Sequence, residues 1–273
     1  MKAYRDTDYL HATARVRALE NGMVTRRDFQ KMIDAKTVEE AYKVLSDAPI
    51  CHGAPMQDYE QALEQNLLDA YQLLDRIAPG NGLTELFRYQ YDGHNFKTAI
   101  KARRAAGDVT GVYSNLGNLP AKAVAAQVES GRTEGLPAPL AEAALEAADT
   151  LAKTGDPQAV DILLDRGILA AMAQKAGEIG NPFLNKYVEA QVDIANIRAA
   201  VRLKRMGKNA FFLAKVLAPG GRIPLSAVTE AYTKGYDAIL AVISSSPYGK
   251  YLEPAFDSIR AKESLSLFEK LCD

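Results

Sequence analysis

The soft metal-ligand candidates in this 273-residue chain are His11, His52 and His94 with Cys51 and Cys272. Cys51 and His52 are neighbours in a Pro/Gly-rich stretch, and adjacent side chains there need two further ligands to hold a tetrahedral ion. None stands at a suitable spacing, so no metal site is expected. The phosphate-cradling pattern G-x-x-x-x-G-K-[ST] is absent, since Gly249-Lys250 lacks the preceding glycine, and neither G-x-G-x-x-G nor G-x-S-x-G occurs. Asp161 and Asp165 lie four apart and share one helical face, a spacing open to acid–base work but far commoner on a solvated surface. No catalytic residue, cofactor or nucleotide is expected. What remains is polar and recurrent: Asp92, Asn95, Lys97 and Lys101, then Asp193, Asn196, Arg198 and Arg202.

Those eight residues belong to one repeated element. The stretch from Asp92 to Arg104 returns without a gap 101 positions later, from Asp193 to Arg205, with Asp, Asn, Ala and Arg identical in both copies. Such a repeat bears on the whole architecture. Its spacing is helical: Phe96 and Ile100, like Ile197 and Val201, are four apart on an apolar seam. Lys97, Lys101 and Arg104 follow at i, i+4, i+7 on another face, as do Arg198, Arg202 and Arg205. Each stripe reads either as a solvated face or as a docking surface. The Asp and Asn at the front of each helix read either as structural caps or as part of a partner socket. The eight residues are the partner-binding candidates.

The elements that must position this helix leave their own signals. Gly22-Met23-Val24-Thr25, Gly117-Asn118-Leu119-Pro120 and Gly221-Arg222-Ile223-Pro224 share one pattern, a glycine followed by an aliphatic residue and a helix-starting Thr or Pro. Asp28 stands in the capping-box position to Thr25, and Glu40 to Thr37. Asp156-Pro157 and Asn181-Pro182 each read as an N-cap with Pro at the first helical position, opening helices to about Lys175 and Met206. Further helices are expected over 6–21, 58–78 up to Pro79-Gly80, a motif helix ending near Ala106, 120–130, 225–245 and 248–271. Loops are expected over 107–119 and 131–139. A degenerate first copy of the motif fits residues 6–21, with Arg15 beneath Lys97. The fold class is all-α, in repeated units of about a hundred residues, set at 1–90, 91–187 and 188–273.

Composition narrows the function. The chain is 48% hydrophobic with a formal net charge of −1. Nothing overall favours nucleic acid, two cysteines make no disulfide framework, and no run is apolar enough to span a bilayer. The start from Met1 carries no signal core. Repeated helices without chemistry usually present a shaped surface to a partner.

Ala14-Arg15-Val16-Arg17-Ala18-Leu19-Glu20, Tyr91 to Lys97, Gly155-Asp156-Pro157, Gly180-Asn181-Pro182-Phe183-Leu184, Asp193 to Arg205, Pro219-Gly220-Gly221 and Ser246-Pro247-Tyr248-Gly249 occur in that order. In this the chain resembles the C subunits of the V/A-type ATP synthases, homologues of the d subunit of the eukaryotic V-ATPase. The resemblance implies a pseudo-threefold funnel of helices, without an active site, coupling the rotating central shaft to the membrane ion-translocating ring. Expected partners are therefore the coiled-coil protein of the shaft and the rotor ring, and the expected location is peripheral, on the cytoplasmic face. The family's closing helix has no counterpart before Asp273, so the third unit is expected to be incomplete. The alternative function is a free-standing helical scaffold that binds a partner helix or peptide in a groove.

Overall fold

The computed structural model of the chain describes residues 5–51, 53–78, 82–104 and 110–273. His52, the Pro79-Gly80 stop, the expected helix end near Ala106 and the start Met1–Tyr4 lie outside the described residues. All regular structure that is described is helical, as expected from the lack of sustained period-two alternation. The first helices are α1 (Leu10–Glu20), α2 (Arg26–Asp34), α3 (Val38–Ser46) and α4 (Tyr59–Ile77), followed by α5 (Glu85–Ala102), which carries the first motif copy. Next come α6 (Ala121–Glu129), α7 (Ala138–Thr154), α8 (Pro157–Ile179) and α9 (Pro182–Arg205), the second motif helix. The last are α10 (Ala210–Val216), α11 (Leu225–Lys234), α12 (Tyr236–Ser244), α13 (Gly249–Leu252), α14 (Phe256–Arg260) and α15 (Ser266–Cys272).

Helix starts follow local chemistry. Thr25 and Asp28 close the expected capping box on α2, with amide–oxygen distances of 3.3 and 3.1 Å. At α3 only half of it forms: Thr37 accepts the Glu40 amide at 3.2 Å, while the Glu40 carboxylate takes the amide of Lys36 instead. Asp156 accepts the Gln158 amide, and Asn181 those of Phe183 and Leu184, satisfying amides that a helix start leaves orphaned. Gly155 and Gly180, at φ of 72° and 70°, end α7 and α8 in the left-handed region, so both turns read Gly–Asx–Pro. Pro120 and Pro224 stand just before α6 and α11 rather than inside their first turns.

One helix was not among those expected, and two expected spans are divided. Residues 138–154 form α7, an alanine-rich helix that packs along α8. The span 225–245 breaks at Gly235, whose φ of 118° separates α11 from α12. The span 248–271 is divided by a 3-10 turn over Glu253–Ala255, where Pro254 supplies no amide, and by Lys262 at φ 58°.

The chain divides into two compact units. The first comprises Met1–Asp92 with Ser114–Pro120, and the second Gly93–Tyr113 with Ala121–Asp273. The segment ends proposed at 90 and 187 both fall inside continuous helices, α5 and α9. Within the first unit, α1, α2, α3 and α4 contain no buried residue; among its described residues the buried side chains are Cys51, Leu86, Tyr89, Thr84, Asp92 and Leu116. The second unit has a dense core, with Ile197 and Val201 of α9 packed among Leu213, Tyr232, Leu240 and Ile259. Among the described residues no helix is long and apolar enough to cross a membrane.

Candidate functional site

Both motif helices point their acid inward. Asp92 and Asp193 have no exposed surface, a costly place for a carboxylate unless hydrogen bonds replace its water. They do. Asp193 accepts the backbone amides of Arg222 and Ile223, both at 3.0 Å, and the hydroxyl of Tyr248 at 2.8 Å. Asp92 accepts the amide of Leu119 at 2.9 Å and the side-chain amide of Asn118 at 2.8 Å. Arg222-Ile223 and Asn118-Leu119 are equivalent residues of the Gly-x-aliphatic-Pro pattern. The two motifs seen separately in the sequence are thus the two halves of one clamp, in which the acid of the helix holds the loop that returns to it.

The glycine of that loop makes the approach possible. A Cβ on Gly221 would lie 2.1 Å from Asp193 Oδ1, and one on Gly117 would lie 2.5 Å from Asp92 Oδ1. No side chain fits there. Asn196, one helical turn beyond Asp193, adds a second grip: its amide nitrogen donates to the Ala218 carbonyl at 2.9 Å and its oxygen accepts the Ala218 amide at 2.8 Å. Asn95 is fully buried at the matching position of α5. Burial pushes the Asp92 carboxyl up from its ordinary range, opposed by the bonds from Leu119 and Asn118 and by the charge of Arg88. Burial also pushes the Tyr248 hydroxyl up, and its bond to Asp193 adds to this.

The basic stripes are ion-paired within the chain. Lys97 meets Asp165 and Lys101 meets Asp161, each at 2.5 Å, so the two acids noted for their i, i+4 spacing form a two-rung ladder between α8 and α5. Arg198 meets Asp273 at 2.5 Å and Glu269 at 3.1 Å, and Arg202 meets Glu269 at 2.6 Å, forming the same ladder between α15 and α9. Arg104 donates to the Leu151 carbonyl at 2.8 Å, and Arg205 to that of Glu263. The eight candidate residues therefore sit as clamps and rungs: Asp92, Asn95, Asp193 and Asn196 are buried, and of the four cations Arg202 keeps the largest exposed share, 54% of its side chain.

Nothing in this arrangement lines up a nucleophile with a base. His94 donates through Nε2 to the Val112 carbonyl at 2.8 Å, and His11 is exposed. Burial raises the thiol pKa of Cys51 and of Cys272, the latter opposed by Arg198. Among the described residues no group of three or more His, Cys, Asp or Glu is placed to hold a metal.

The site thus belongs to an all-helical protein in which each motif helix holds the loop that returns to it. The family model described as ATP synthase (C/AC39) subunit matches residues 12–273, and the chain belongs to that family. It is 24% identical over 283 residues to the A-type ATP synthase C subunit of Desulfurococcus sp. (strain SY), covering 98% of this chain and 76% of that one. It is 25% identical over 272 residues to the A-type ATP synthase C subunit of Pyrococcus horikoshii, covering 94% and 73%. The V-type sodium ATPase C subunit of Enterococcus hirae is 21% identical over 220 residues, covering 80% and 67%.

Proposed function

We propose that the chain is a non-catalytic central-stalk component of a rotary V/A-type ATPase, coupling the rotating shaft to the membrane ion-translocating ring from the cytoplasmic side. The observation that carries this reading is the family match over residues 12–273. The helical repeats support it, since a coupling part must transmit force between partners rather than bind a substrate. In this reading the eight motif residues serve assembly from within. Their clamps and ladders hold the helices in register, which a part under torque requires, and Arg202 is the one with most side-chain surface left to offer a partner. A bilayer-facing role falls to the ring, because no described helix is long and apolar enough to cross a membrane.

The test is extraction and rebinding. Charged contacts at a polar rim are screened once the Debye length shrinks to about 3 Å near 1 M salt. The chain should leave isolated membranes in high salt or mild chaotrope without detergent, and return only to membranes that contain the ring. The isolated chain should neither bind nor hydrolyse ATP. A need for detergent, equal binding to protein-free liposomes, or saturable ATP binding would each overturn the reading.

A further inference from the structure

The second motif helix opens the most one-sided stretch of charge in the chain. Residues 194–229 contain no Asp or Glu but seven Lys or Arg. The whole chain has 34 acids against 33 cations, and its next-longest run without an acid, 109–128, holds a single cation, Lys122. Four of the seven cations are used inside the chain. Arg198 and Arg202 meet Glu269 and Asp273, Arg205 donates to the Glu263 carbonyl, and Lys204 donates to the Tyr232 carbonyl at 2.8 Å.

Lys208 and Lys215 differ from these. Both are exposed, and neither meets a carboxylate among the described residues. Each lies over an aromatic ring instead, Lys208 at 5.3 Å from the centre of Phe212 and Lys215 at 4.6 Å from that of Phe211. Phe211 is 71% exposed and Met206 60%. A single exposed apolar side chain needs no explanation, but here two stand in an acid-free run beside two cations without acids.

This edge is fixed from behind. Asn209 caps α10 by accepting the Phe212 amide at 2.9 Å. Tyr232 of α11 donates its hydroxyl to the Lys208 carbonyl at 2.6 Å, and Arg166 of α8 donates to the Lys215 carbonyl at 3.1 Å. Leu213 is buried and Phe212 and Val216 are half-buried, which turns Phe211, Ala214 and Lys215 outward at i, i+3 and i+4. Side chains on a mount held at both ends lose less freedom when a partner covers them than they would on a loose loop.

We propose that Met206, Lys208, Phe211 and Lys215 form a docking face for an acidic protein surface, an apolar pocket rimmed by carboxylates. Complementary charge sets the sign of the partner. Phe and Met suit the centre of such an interface and the lysines its rim. A bilayer is a poorer occupant, because two lysines and two apolar side chains around a seven-residue helix offer it little charge and little apolar area. The proposal rests on the coupling reading only in placing the partner within the same ATPase.

Rebinding of the full chain to a complex from which it has been removed tests this. The probes are the two fractions left behind, the membranes that hold the ring and the soluble fraction that holds the shaft. Lys208→Glu/Lys215→Glu should weaken binding to at least one of them by roughly ten-fold or more at low salt. That difference should fade near about 1 M salt, whereas the loss in Phe211→Ala should persist. Lys122→Glu/Lys250→Glu changes the net charge equally at exposed positions outside the run and should bind within about two-fold of the unaltered chain. Melting temperatures show whether each variant is folded. If the unaltered chain binds neither fraction, the coupling reading fails and this face loses its partner with it. If the unaltered chain binds and both the glutamate and the Phe211 variants bind equally well, the face alone is overturned. If the unaltered chain binds protein-free vesicles of anionic lipid and the glutamate variant does not, the occupant is lipid and the proposal is likewise overturned.

Discussion

Gly22 and Gly221 open the same sequence pattern in two regions that solve the same problem differently. At Gly221 the loop is held from afar by a buried carboxylate of α9, and a Cβ would strike that carboxylate at 2.1 Å. At Gly22 a Cβ would meet only the Leu19 carbonyl at 3.5 Å and Pro49 Cγ at 3.6 Å, both ordinary contacts. There the following helix is started by its own residues, Thr25 and Asp28. The preceding helices differ as well when the two stretches are aligned by sequence. With Arg15 beneath Lys97, Leu10 falls where α5 has Asp92 and Thr13 where it has Asn95, and Leu10 is 66% exposed. Without the acid there is no clamp, and α1 to α4 bury no side chain. A long-range polar clamp and a dense core occur together at α9, and both are missing at α1.

That contrast can be broken in several ways, of which removing the acid has the largest effect. Asp193→Ala strands the amides of Arg222 and Ile223 and the hydroxyl of Tyr248. At about 1–3 kcal/mol for each buried orphan, and with partial relaxation, the loss in urea denaturation should be about 3–5 kcal/mol. Leu10→Ala at the matching place on α1 should change stability by no more than about 0.5 kcal/mol. Next are the glycines. Gly221→Ala and Gly117→Ala overpack a filled site and should cost about 1–3 kcal/mol each, while Gly22→Ala should stay within about 0.5 kcal/mol. Taking both charges from the α5 stripe, Lys97→Gln with Lys101→Gln, should cost at most about 1–2 kcal/mol, because both acids it frees are partly exposed, Asp165 at 62% and Asp161 at 42% of the side chain.

The smallest effect concerns pH. The Tyr248 hydroxyl is raised in the folded chain, chiefly by burial and then by its bond to Asp193. A group raised on folding gives stability that is complete below its unfolded value, about 10 for tyrosine. That stability is lost as pH climbs from there through the folded value. Tyr248→Phe should lower stability by about 1 kcal/mol at neutral pH and should flatten the decline above pH about 10. An alkaline limb identical in both proteins would remove the tyrosine from the clamp.

Much of the fold could be read from residue types because its signals are local. The Gly–Asx–Pro turns at 155–157 and 180–182, the Thr25 cap and the motif helices needed only neighbours within four positions. α7 escaped because its alanines bury Leu140, Ala144 and Ala147 on one face without a sharp polar start. The pieces of the clamp were legible, but not that Asp92 meets Leu119 or that Asp193 meets Ile223, since nothing local joins residues 27 and 30 positions apart. The same holds for Asp161 and Asp165, whose bland surface reading concealed their pairing with the lysine stripe 60 and 68 positions away.

The most direct test of the clamp is a double-mutant cycle between Asp193 and Gly221, measured by equilibrium denaturation. If the carboxylate is what excludes a side chain at Gly221, then Gly221→Ala should cost about 1–3 kcal/mol in the native background and little or nothing once Asp193→Ala has made room. Costs that add within about 0.5 kcal/mol would show two independent sites, and the clamp as the organising contact of the motif would be contradicted.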